Sequence, residues 1–374
     1  MLIGVVKEVR SGENRVALTP DVVKQLKKAG FDVVMESGAG MASGFSDISY
    51  QESGATIDNK NGILTSTDVL LKVNTPIHEE VNGLKEGAVI ISFLYAYTQP
   101  SLIDALVARK ISAFAMDAVP RISRAQKMDA LSSQSNLAGY KAVLLGANAL
   151  KKIFPLMMTA AGTITPAKVL IFGAGVAGLQ AIATAKRLGA VVEVTDVRPE
   201  TKEQVESLGG RFIEVKTDEQ VKTAGGYARE VSTEYLQKQQ ELVKKHVADA
   251  DIVITTALVM GKKAPILVTE EMIKSMKPGS VVVDMAVESG GNCALSKQNE
   301  TVIAHEVTII GEGNLPSLLS VNASELYARN ISTLLFHLAT KDGLKWEMEE
   351  EITKGSLITH KGELVHSLTI ELIK

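Results

Sequence analysis

Three glycines near the middle of the chain have the spacing of a phosphate-binding turn. Gly173, Gly175 and Gly178 form the pattern Gly-x-Gly-x-x-Gly directly after the apolar run Val169–Phe172. In such a turn the first glycine allows a tight bend, the second lets the backbone approach a pyrophosphate, and the third lets a helix pack on a strand. The N-terminus of the following helix attracts phosphate through its N–H groups and its dipole. The pattern therefore predicts a dinucleotide site.

An acidic residue after the next predicted strand indicates which dinucleotide is bound. Asp196 follows the run Val191–Thr195, at the distance of about 20 residues at which a carboxylate holds the ribose hydroxyls and repels a 2′-phosphate. Arg198 could meet such a phosphate, but Asp196 occupies the position at the strand end. NAD(H) rather than NADP(H) is therefore the predicted ligand.

Two further segments carry polar or aromatic side chains with more than one interpretation. Pro120–Gln134 is rich in Arg, Gln, Asp and Ser, which together can hold a carboxamide and a phosphate. A solvated interdomain loop explains that composition equally well. Gly225-Gly226-Tyr227 has the glycine hinge and aromatic tip of a lid, although an ordinary loop with a half-buried Tyr227 is the simpler interpretation of the residues alone.

Composition and spacing argue against several other functions. The net charge of -3 offers no basic face for nucleic acid. The six histidines are scattered and Cys293 is the single cysteine, so we expect no metal site and no disulfide within the chain. His305-Glu306 could be a catalytic pair, but a strand-end histidine beside a solvated glutamate explains it as well. We expect no membrane-spanning segment, because no apolar run is long enough.

The order of the predicted elements indicates an α/β protein. A chain of 374 residues, of which 45% are hydrophobic, suggests two domains. Short β-branched runs alternate with helical patterns, which predicts parallel sheets. Predicted strands are Leu2–Val6, Val33–Glu36, Val69–Val73, Val89–Phe93, Ala113–Met116, Val169–Phe172, Val191–Thr195, Phe212–Val215, Ile252–Thr256, Val281–Met285 and Val307–Ile310. Predicted helices include Thr19–Ala29 with Thr19 as its cap, Pro100–Arg109, Ser132–Leu150, Val176–Leu188 and Ser324–Thr340. A polar, charged stretch follows, Lys341–Lys374.

Long motifs spread over nearly the whole chain carry a family resemblance. Two of them are RISRAQKMDALSSQSNLAGYKAV and MMTAAGTITPAKVLIFGAGVAGLQAIATAKRLGAVVEVTDVR, and four shorter ones are AGGYARE, ADIVITTALVMGKKAP, MKPGSVVVDMAVESGGNC and EGNLPSLLS. Together they resemble the NAD(H)-binding component of proton-translocating nicotinamide nucleotide transhydrogenase. The N-terminal GVVKEVRSGENRVALTP is shared more widely, with alanine dehydrogenase and its relatives.

The resemblance implies a fold, a reaction and partners. It implies two Rossmann-like parallel-sheet domains: 1–131 joined by the C-terminal segment 320–374, and the NAD(H)-binding domain 132–319, with the cofactor in the cleft between them. Hydride would pass directly from NADH to NADP+ held on a partner domain, and membrane-spanning subunits would couple the transfer to proton translocation. The component would be a cytoplasmic homodimer that is peripheral to the membrane and not inserted in it.

The resemblance also assigns roles to individual residues. The residues implied to contact the nicotinamide end of NADH, and so to be catalytic, are Arg121, Gln126, Asp129 and Ser132. The cofactor-binding residues, with Tyr227 on a mobile loop, are Gly173, Gly175, Val176, Ala177, Gly178, Asp196, Val197, Tyr227, Thr256 and Ala257. Hydride exchange between two nicotinamides moves no proton at the reacting carbons, so such a site needs positioning and exclusion of water rather than a base.

Two alternative functions share the predicted NAD(H) site. One is an alanine dehydrogenase-like amino-acid oxidoreductase, because Arg15 and Lys72 stand where that family holds its substrate carboxylate. That family has a histidine where this chain has Tyr95, and a tyrosine with a pKa near 10 is a poor base at neutral pH. Arg15 and Lys72 are then interpreted as structural remnants. The other alternative is a non-catalytic module that senses NAD(H).

Overall fold

A computed structural model describes residues 1–214, 233–258 and 261–373, and of residues 233–239 it describes the backbone alone. The chain divides into two compact units. The first unit is Met1–Gln134 together with Pro316–Lys374, and the second is Ser135–Leu315. No helix among the described residues is both long and apolar enough to cross a membrane.

Strands and helices alternate along the chain. Up to residue 149 the elements are β1 (Leu2–Val5), α1 (Pro20–Lys28), β2 (Asp32–Glu36), α2 (Asp47–Glu52), β3 (Thr56–Asp58), α3 (Lys60–Ser66), β4 (Val69–Leu71), α4 (His78–Gly83), β5 (Val89–Ser92), α5 (Pro100–Ala108), β6 (Ser112–Ala115) and α6 (Ala130–Ala149). Up to residue 311 they are β7 (Met157–Thr159), β8 (Gly162–Ile164), β9 (Lys168–Phe172), α7 (Val176–Arg187), β10 (Val191–Thr195), α8 (Lys202–Ser207), β11 (Arg211–Phe212), α9 (Thr233–Asp249), β12 (Ile252–Thr255), α10 (Glu270–Ser275), β13 (Val281–Asp284), β14 (Glu300–Ala304) and β15 (Val307–Gly311). The remaining ones are α11 (Ser320–Leu338), β16 (Ala339–Thr340), β17 (Gly343–Leu344), α12 (Glu351–Ser356), β18 (Leu357–His360), β19 (Glu363–Leu364) and α13 (Ser367–Ile373).

The first unit is built on an eight-stranded sheet in the order β19-β18-β6-β5-β4-β1-β2-β3. The strands from β1 to β6 pair in parallel, whereas β18 and β19 pair antiparallel. Alternate residues enter the cores on opposite faces of the sheet: Val89 and Ile91 on one face, Ile90 on the other. Because both faces are covered, these strands are nearly continuous apolar runs, as in other parallel sheets.

The second unit has a seven-stranded sheet in the order β11-β10-β9-β12-β13-β15-β14, in which β14 alone is antiparallel. Its two faces are also buried, with Ile171 in one core and Leu170 and Phe172 in the other. The strand order changes direction between β9 and β12. In open α/β sheets, ligands bind at the carboxyl ends of strands at such a switch point.

The structure confirms the predicted α/β class and corrects local details. Helix α1 begins at Pro20 as expected, but the side chain of Thr19 makes no capping hydrogen bond. The predicted helix Ser324–Thr340 begins earlier, at Ser320, and ends at Leu338. The charged C-terminal stretch contains a buried strand, β18, whose Leu357 pairs with Phe114 of β6.

We expect Cys293 to resist thiol reagents in the folded protein. It is 2% exposed, and burial raises the pKa of its thiol to about 11. Because the thiolate is the reactive form, the folded chain should react with an alkylating reagent at pH 8 only as fast as it unfolds. A time course of mass increase, with and without denaturant, measures this. Rapid labelling without denaturant would contradict the burial of this thiol.

Candidate functional site

The turn after β9 has the geometry of a phosphate-binding loop. Gly173 has a φ of +99°, which favours glycine, and its N–H donates to the Thr195 carbonyl at 2.9 Å. Gly175 directly precedes α7, which begins at Val176. The first turn of a helix leaves its N–H groups without intrahelical partners, so a phosphate placed before Val176 would accept hydrogen bonds from them.

The three glycines of the turn differ in what surrounds them. A β-carbon on Gly178 would lie 1.9 Å from the carbonyl oxygen of Gly173, and one on Gly173 would lie 2.4 Å from Oγ1 of Thr256. Around a β-carbon on Gly175, no atom of a non-neighbouring described residue lies within 4 Å. Gly173 and Gly178 therefore allow the turn and the helix to pack, whereas Gly175 borders open space into which a pyrophosphate fits.

Asp196 lies beside this turn. Its Oδ2 accepts the N–H of Ala174 at 2.7 Å, and its Oδ1 accepts the N–H of Arg198 at 2.8 Å. Burial by itself would raise the pKa of this carboxyl, but the hydrogen bonds from Arg198 and Ala174 outweigh burial and lower the pKa below its usual value. The carboxylate is therefore ionised at neutral pH, as an acceptor of ribose hydroxyls must be. Val197 next to it is 89% exposed.

Thr256 and Ala257 follow β12, the strand next to β9 across the switch point. Oγ1 of Thr256 donates to the Phe172 carbonyl at 3.0 Å. The N–H of Ala257 donates to Oδ1 of Asn292 at 3.0 Å, and its carbonyl accepts from Nδ2 of Asn292 at 3.0 Å. Asn292 is fully buried, and its own N–H donates to Oδ2 of Asp284. Asn292 thus holds the backbone of Ala257 at both its donor and its acceptor.

Asn292 and Asp284 were missed by the sequence reasoning. Asp284 is the last residue of β13 and is fully buried, with Thr255 and Ser296 as hydroxyl donors. A polar residue at the end of an apolar strand is the signal that singled out Asp196, so the same rule could have found Asp284. No comparable signal marks Asn292, because its partners become neighbours only when the sheet forms.

The segment that contains the four predicted nicotinamide contacts belongs to the first unit. Arg121 and Gln126 are exposed, and their side chains make no hydrogen bond within the described part of the chain. Asp129 precedes α6 and accepts the N–H of Ser132 at 2.8 Å and its hydroxyl at 2.6 Å, which is the geometry of a helix N-cap. Arg121 and Gln126 therefore face solvent, whereas Asp129 and Ser132 bind each other.

Helix α11 holds this segment through Asn330, a residue that the sequence reasoning also missed. Nδ2 of Asn330 donates to the Lys127 carbonyl at 2.8 Å, and its Oδ1 accepts the hydroxyl of Ser133 at 2.7 Å. Lys127 lies in the 3-10 turn Ser123–Met128. Since Asn330 is 8% exposed, water does not readily replace it, and the turn is fixed at both of its ends.

We expect Asn330→Ala to slow hydride transfer by about tenfold or more, because small displacements of positioning groups cost rate steeply. The variant should also lose about 1–3 kcal/mol of stability, because the Lys127 carbonyl loses its buried donor. Asn322→Ala is the matched control, since Asn322 lies exposed on the same helix and contacts Glu325. Single-turnover transfer and thermal unfolding measure both effects. Equal transfer rates in the two variants would remove Asn330 from the site.

Arg15 and Lys72 lie in a buried network of ion pairs in the first unit. Nε and Nη2 of Arg15 donate to the two carboxylate oxygens of Glu13, at 2.8 and 2.7 Å. Lys72 lies 3.1 Å from Glu80 and 3.4 Å from Glu8. Although burial opposes ionisation of Glu13, its hydrogen bonds with Arg15 lower its pKa to about 2. Both cations are therefore neutralised within the protein, consistent with their interpretation as structural remnants.

Tyr95 follows β5 in a strained conformation. Its φ is +44°, in the left-handed region, and the N–H groups of Leu94 and Tyr95 both donate to the carboxylate of Asp117. Its ring stacks on Phe93 at 5.8 Å between centroids. The backbone is thus shaped to present the side chain at position 95, where this chain has a phenol and no imidazole.

The remaining predicted residues lie apart from these groups. His305 and Glu306 form the turn between β14 and β15, and His305 contacts Glu270 at 3.1 Å. Tyr227 and its glycine hinge lie outside the described residues. Among the residues that the structure describes, no group of three or more His, Cys, Asp or Glu side chains could hold a metal ion.

The two sheets and the glycine turn define a dinucleotide-binding protein of the two-domain α/β class. Residues 4–138 match the family Alanine dehydrogenase/PNT, N-terminal domain, and residues 142–367 match Alanine dehydrogenase/PNT, C-terminal domain. The chain belongs to this alanine dehydrogenase/PNT family, as the sequence motifs predicted.

Individual relatives refine this assignment. The chain is 52% identical over 376 residues to an NAD(P) transhydrogenase alpha subunit of Rhodospirillum rubrum, with 98% of each chain covered. It is 31% identical to alanine dehydrogenase of Bacillus subtilis, over 98% of this chain and 93% of that protein. A crystal structure of transhydrogenase from Sinorhizobium meliloti superposes with a TM-score of 0.90 at 46% identity, covering 98% of this chain and 100% of that one. These relatives support the NAD(P) transhydrogenase family and binding of NAD(H).

Proposed function

We propose that this chain is the NAD(H)-binding component of a proton-translocating transhydrogenase. The reaction is NADH + NADP+ → NAD+ + NADPH, in which hydride passes directly to NADP+ held on a partner domain. The observation that carries the proposal is an intact dinucleotide turn, with open space at Gly175 and an ionised Asp196, on a chain 52% identical to a transhydrogenase alpha subunit.

The site residues keep the roles that the resemblance implied. The residues proposed to hold the nicotinamide end are Arg121, Gln126, Asp129 and Ser132. Those proposed to hold the rest of NADH are Gly173, Gly175, Val176, Ala177, Gly178, Asp196, Val197, Tyr227, Thr256 and Ala257. We propose as functional domains residues 1–131 with 320–374, and residues 132–319.

The chemistry requires little of this chain beyond binding and orientation. NADH supplies the hydride from C4 of its dihydronicotinamide ring. Because no proton leaves or enters at the reacting carbons, the chain needs no general base, which agrees with a tyrosine at position 95. Arg121 and Gln126 offer exposed donors to the phosphate and the carboxamide of the nicotinamide nucleotide. Their contribution is to hold the ring at the distance and angle that transfer demands.

The assembly is the second element of the proposal. We propose a homodimer that docks on the cytoplasmic face of the membrane through the NADP(H)-binding domain and the membrane-spanning subunits, which couple transfer to proton translocation. The hairpin of β7 and β8 supports a self-association surface, because Leu156, Met158 and Ile164 are 57%, 77% and 43% exposed. Sedimentation of the purified chain measures the dimer, and a monomer at micromolar concentration would contradict it.

The decisive experiment follows deuterium. The chain is mixed with an NADP(H)-binding partner domain, NADP+ and NADH that carries deuterium at the transferable C4 position. We expect deuterated NADPH by mass spectrometry, with no exchange into water. Protium in the product would overturn direct transfer.

Controls without the partner separate the alternative functions. Reduction of NAD+ by alanine would favour an amino-acid oxidoreductase, and binding of NADH without any transfer after addition of the partner would favour a sensing module.

A further inference from the structure

The carboxylate of Asp196 already accepts four hydrogen bonds. Backbone N–H groups supply two of them, from Ala174 to Oδ2 at 2.7 Å and from Arg198 to Oδ1 at 2.8 Å. The Arg198 guanidinium supplies the other two, from Nε to Oδ1 at 3.0 Å and from Nη2 to Oδ2 at 2.9 Å. Since a carboxylate offers about four lone-pair positions, each of them has a donor.

A ribose must therefore displace some of these donors. The two backbone N–H groups are fixed by the glycine turn and by the end of β10, so they stay. The guanidinium stands on a flexible stem, and the side chain of Arg198 is 52% exposed whereas that of Asp196 is 4% exposed. The ribose hydroxyls of NADH can then reach the carboxylate only at the positions that Nε and Nη2 now occupy.

We propose that Arg198 is a specificity-determining residue, a receptor for a 2′-phosphate that Asp196 keeps occupied. The planar fork of a guanidinium binds a carboxylate and a phosphate with the same two-point geometry. Asp196 thus disfavours NADP(H) in two ways, by repelling the phosphate and by engaging an adjacent cation that would otherwise bind it. This inference rests on the proposed function, because it places the adenosine ribose at Asp196.

The proposal predicts how single and double variants differ. Asp196→Asn keeps the size of the side chain, removes its charge and releases the guanidinium. Its affinity for NADPH should rise roughly tenfold, as expected for a new charge-assisted pair with phosphate, while its affinity for NADH falls. In Asp196→Asn/Arg198→Ala the gain for NADPH should be absent.

A charge-matched control separates this local contact from the general field of the protein. Arg211 is also exposed, and it lies 3.6 Å from Glu193 rather than beside Asp196. Asp196→Asn/Arg211→Ala removes the same charge from the same unit and should keep the gain for NADPH. If it loses the gain as completely as the Arg198 variant, the effect is one of net charge and the proposal is overturned.

Calorimetric titration of the full chain with NADH and with NADPH, at one ionic strength, tests these expectations. Equal affinities for NADPH in Asp196→Asn and Asp196→Asn/Arg198→Ala would overturn the role of Arg198. Failure of the native chain to bind NADH would instead overturn the proposed function, so the two failures are distinct. Thermal unfolding checks that each variant folds, and Asp196→Ser carries the same comparison if Asp196→Asn does not fold.

Discussion

Gly175→Ala should lower the affinity for NADH by at least about 100-fold, because a methyl group at this position blocks the approach of the pyrophosphate to the backbone. The melting temperature should not change. Gly175 has a φ of -75° and a ψ of -171°, which alanine adopts without strain, and the space around its missing β-carbon is open. A fluorescence or calorimetric titration with NADH, next to a thermal melt, measures both quantities.

The other helix-side glycine of the turn is the matched control. Gly178→Ala adds the same methyl group, but its β-carbon would lie 1.9 Å from the Gly173 carbonyl oxygen. The backbone must move to accommodate it, and such overpacking costs about 1–3 kcal/mol or more. This variant should lose stability as well as binding. Native affinity for NADH in Gly175→Ala would show that the pyrophosphate does not lie at this turn.

Gln126→Ala should lower the rate of hydride transfer by about 100-fold, the size of effect produced by displacing a positioned ring by about 1 Å. Stability should be unchanged, because Gln126 is exposed and its side chain makes no hydrogen bond within the described residues. Transfer is measured in a single turnover with saturating NADH and the partner domain, and stability by thermal unfolding. The effect should fall on the transfer step rather than on the affinity for the adenosine half of the nucleotide.

Two neighbours in the same segment make this experiment specific. Lys127→Ala truncates an exposed side chain in the same 3-10 turn and should leave transfer near the native rate. Asp129→Ala is less informative, because it also removes the cap of α6, which costs about 1 kcal/mol of stability. A native rate in Gln126→Ala, or an equal loss in Lys127→Ala, would return the segment to the status of a solvated loop.

Much of the fold was predictable because its signals are local. A parallel strand buried on both faces must be an apolar run, so Val169–Phe172 and Val281–Asp284 stand out within a few residues of sequence. A glycine with positive φ, such as Gly173, leaves an equally local mark. Strand β18 lacked such a mark, because it lies in a charged stretch and becomes a strand only by pairing with β6.

The sequence by itself determined the α/β class, the phosphate-binding turn and the acidic residue after β10, since each depends on residue types at short spacing. The tertiary structure alone decided how the site is supported. Asn330 and the Lys127 carbonyl are 203 positions apart in sequence, and Asn292 and Ala257 are 35 apart. Even the pair of Asp196 and Arg198 takes its orientation from the distant N–H of Ala174. Such hydrogen bonds join residues that no periodicity relates, so they exist only after the sheets have brought their ends together.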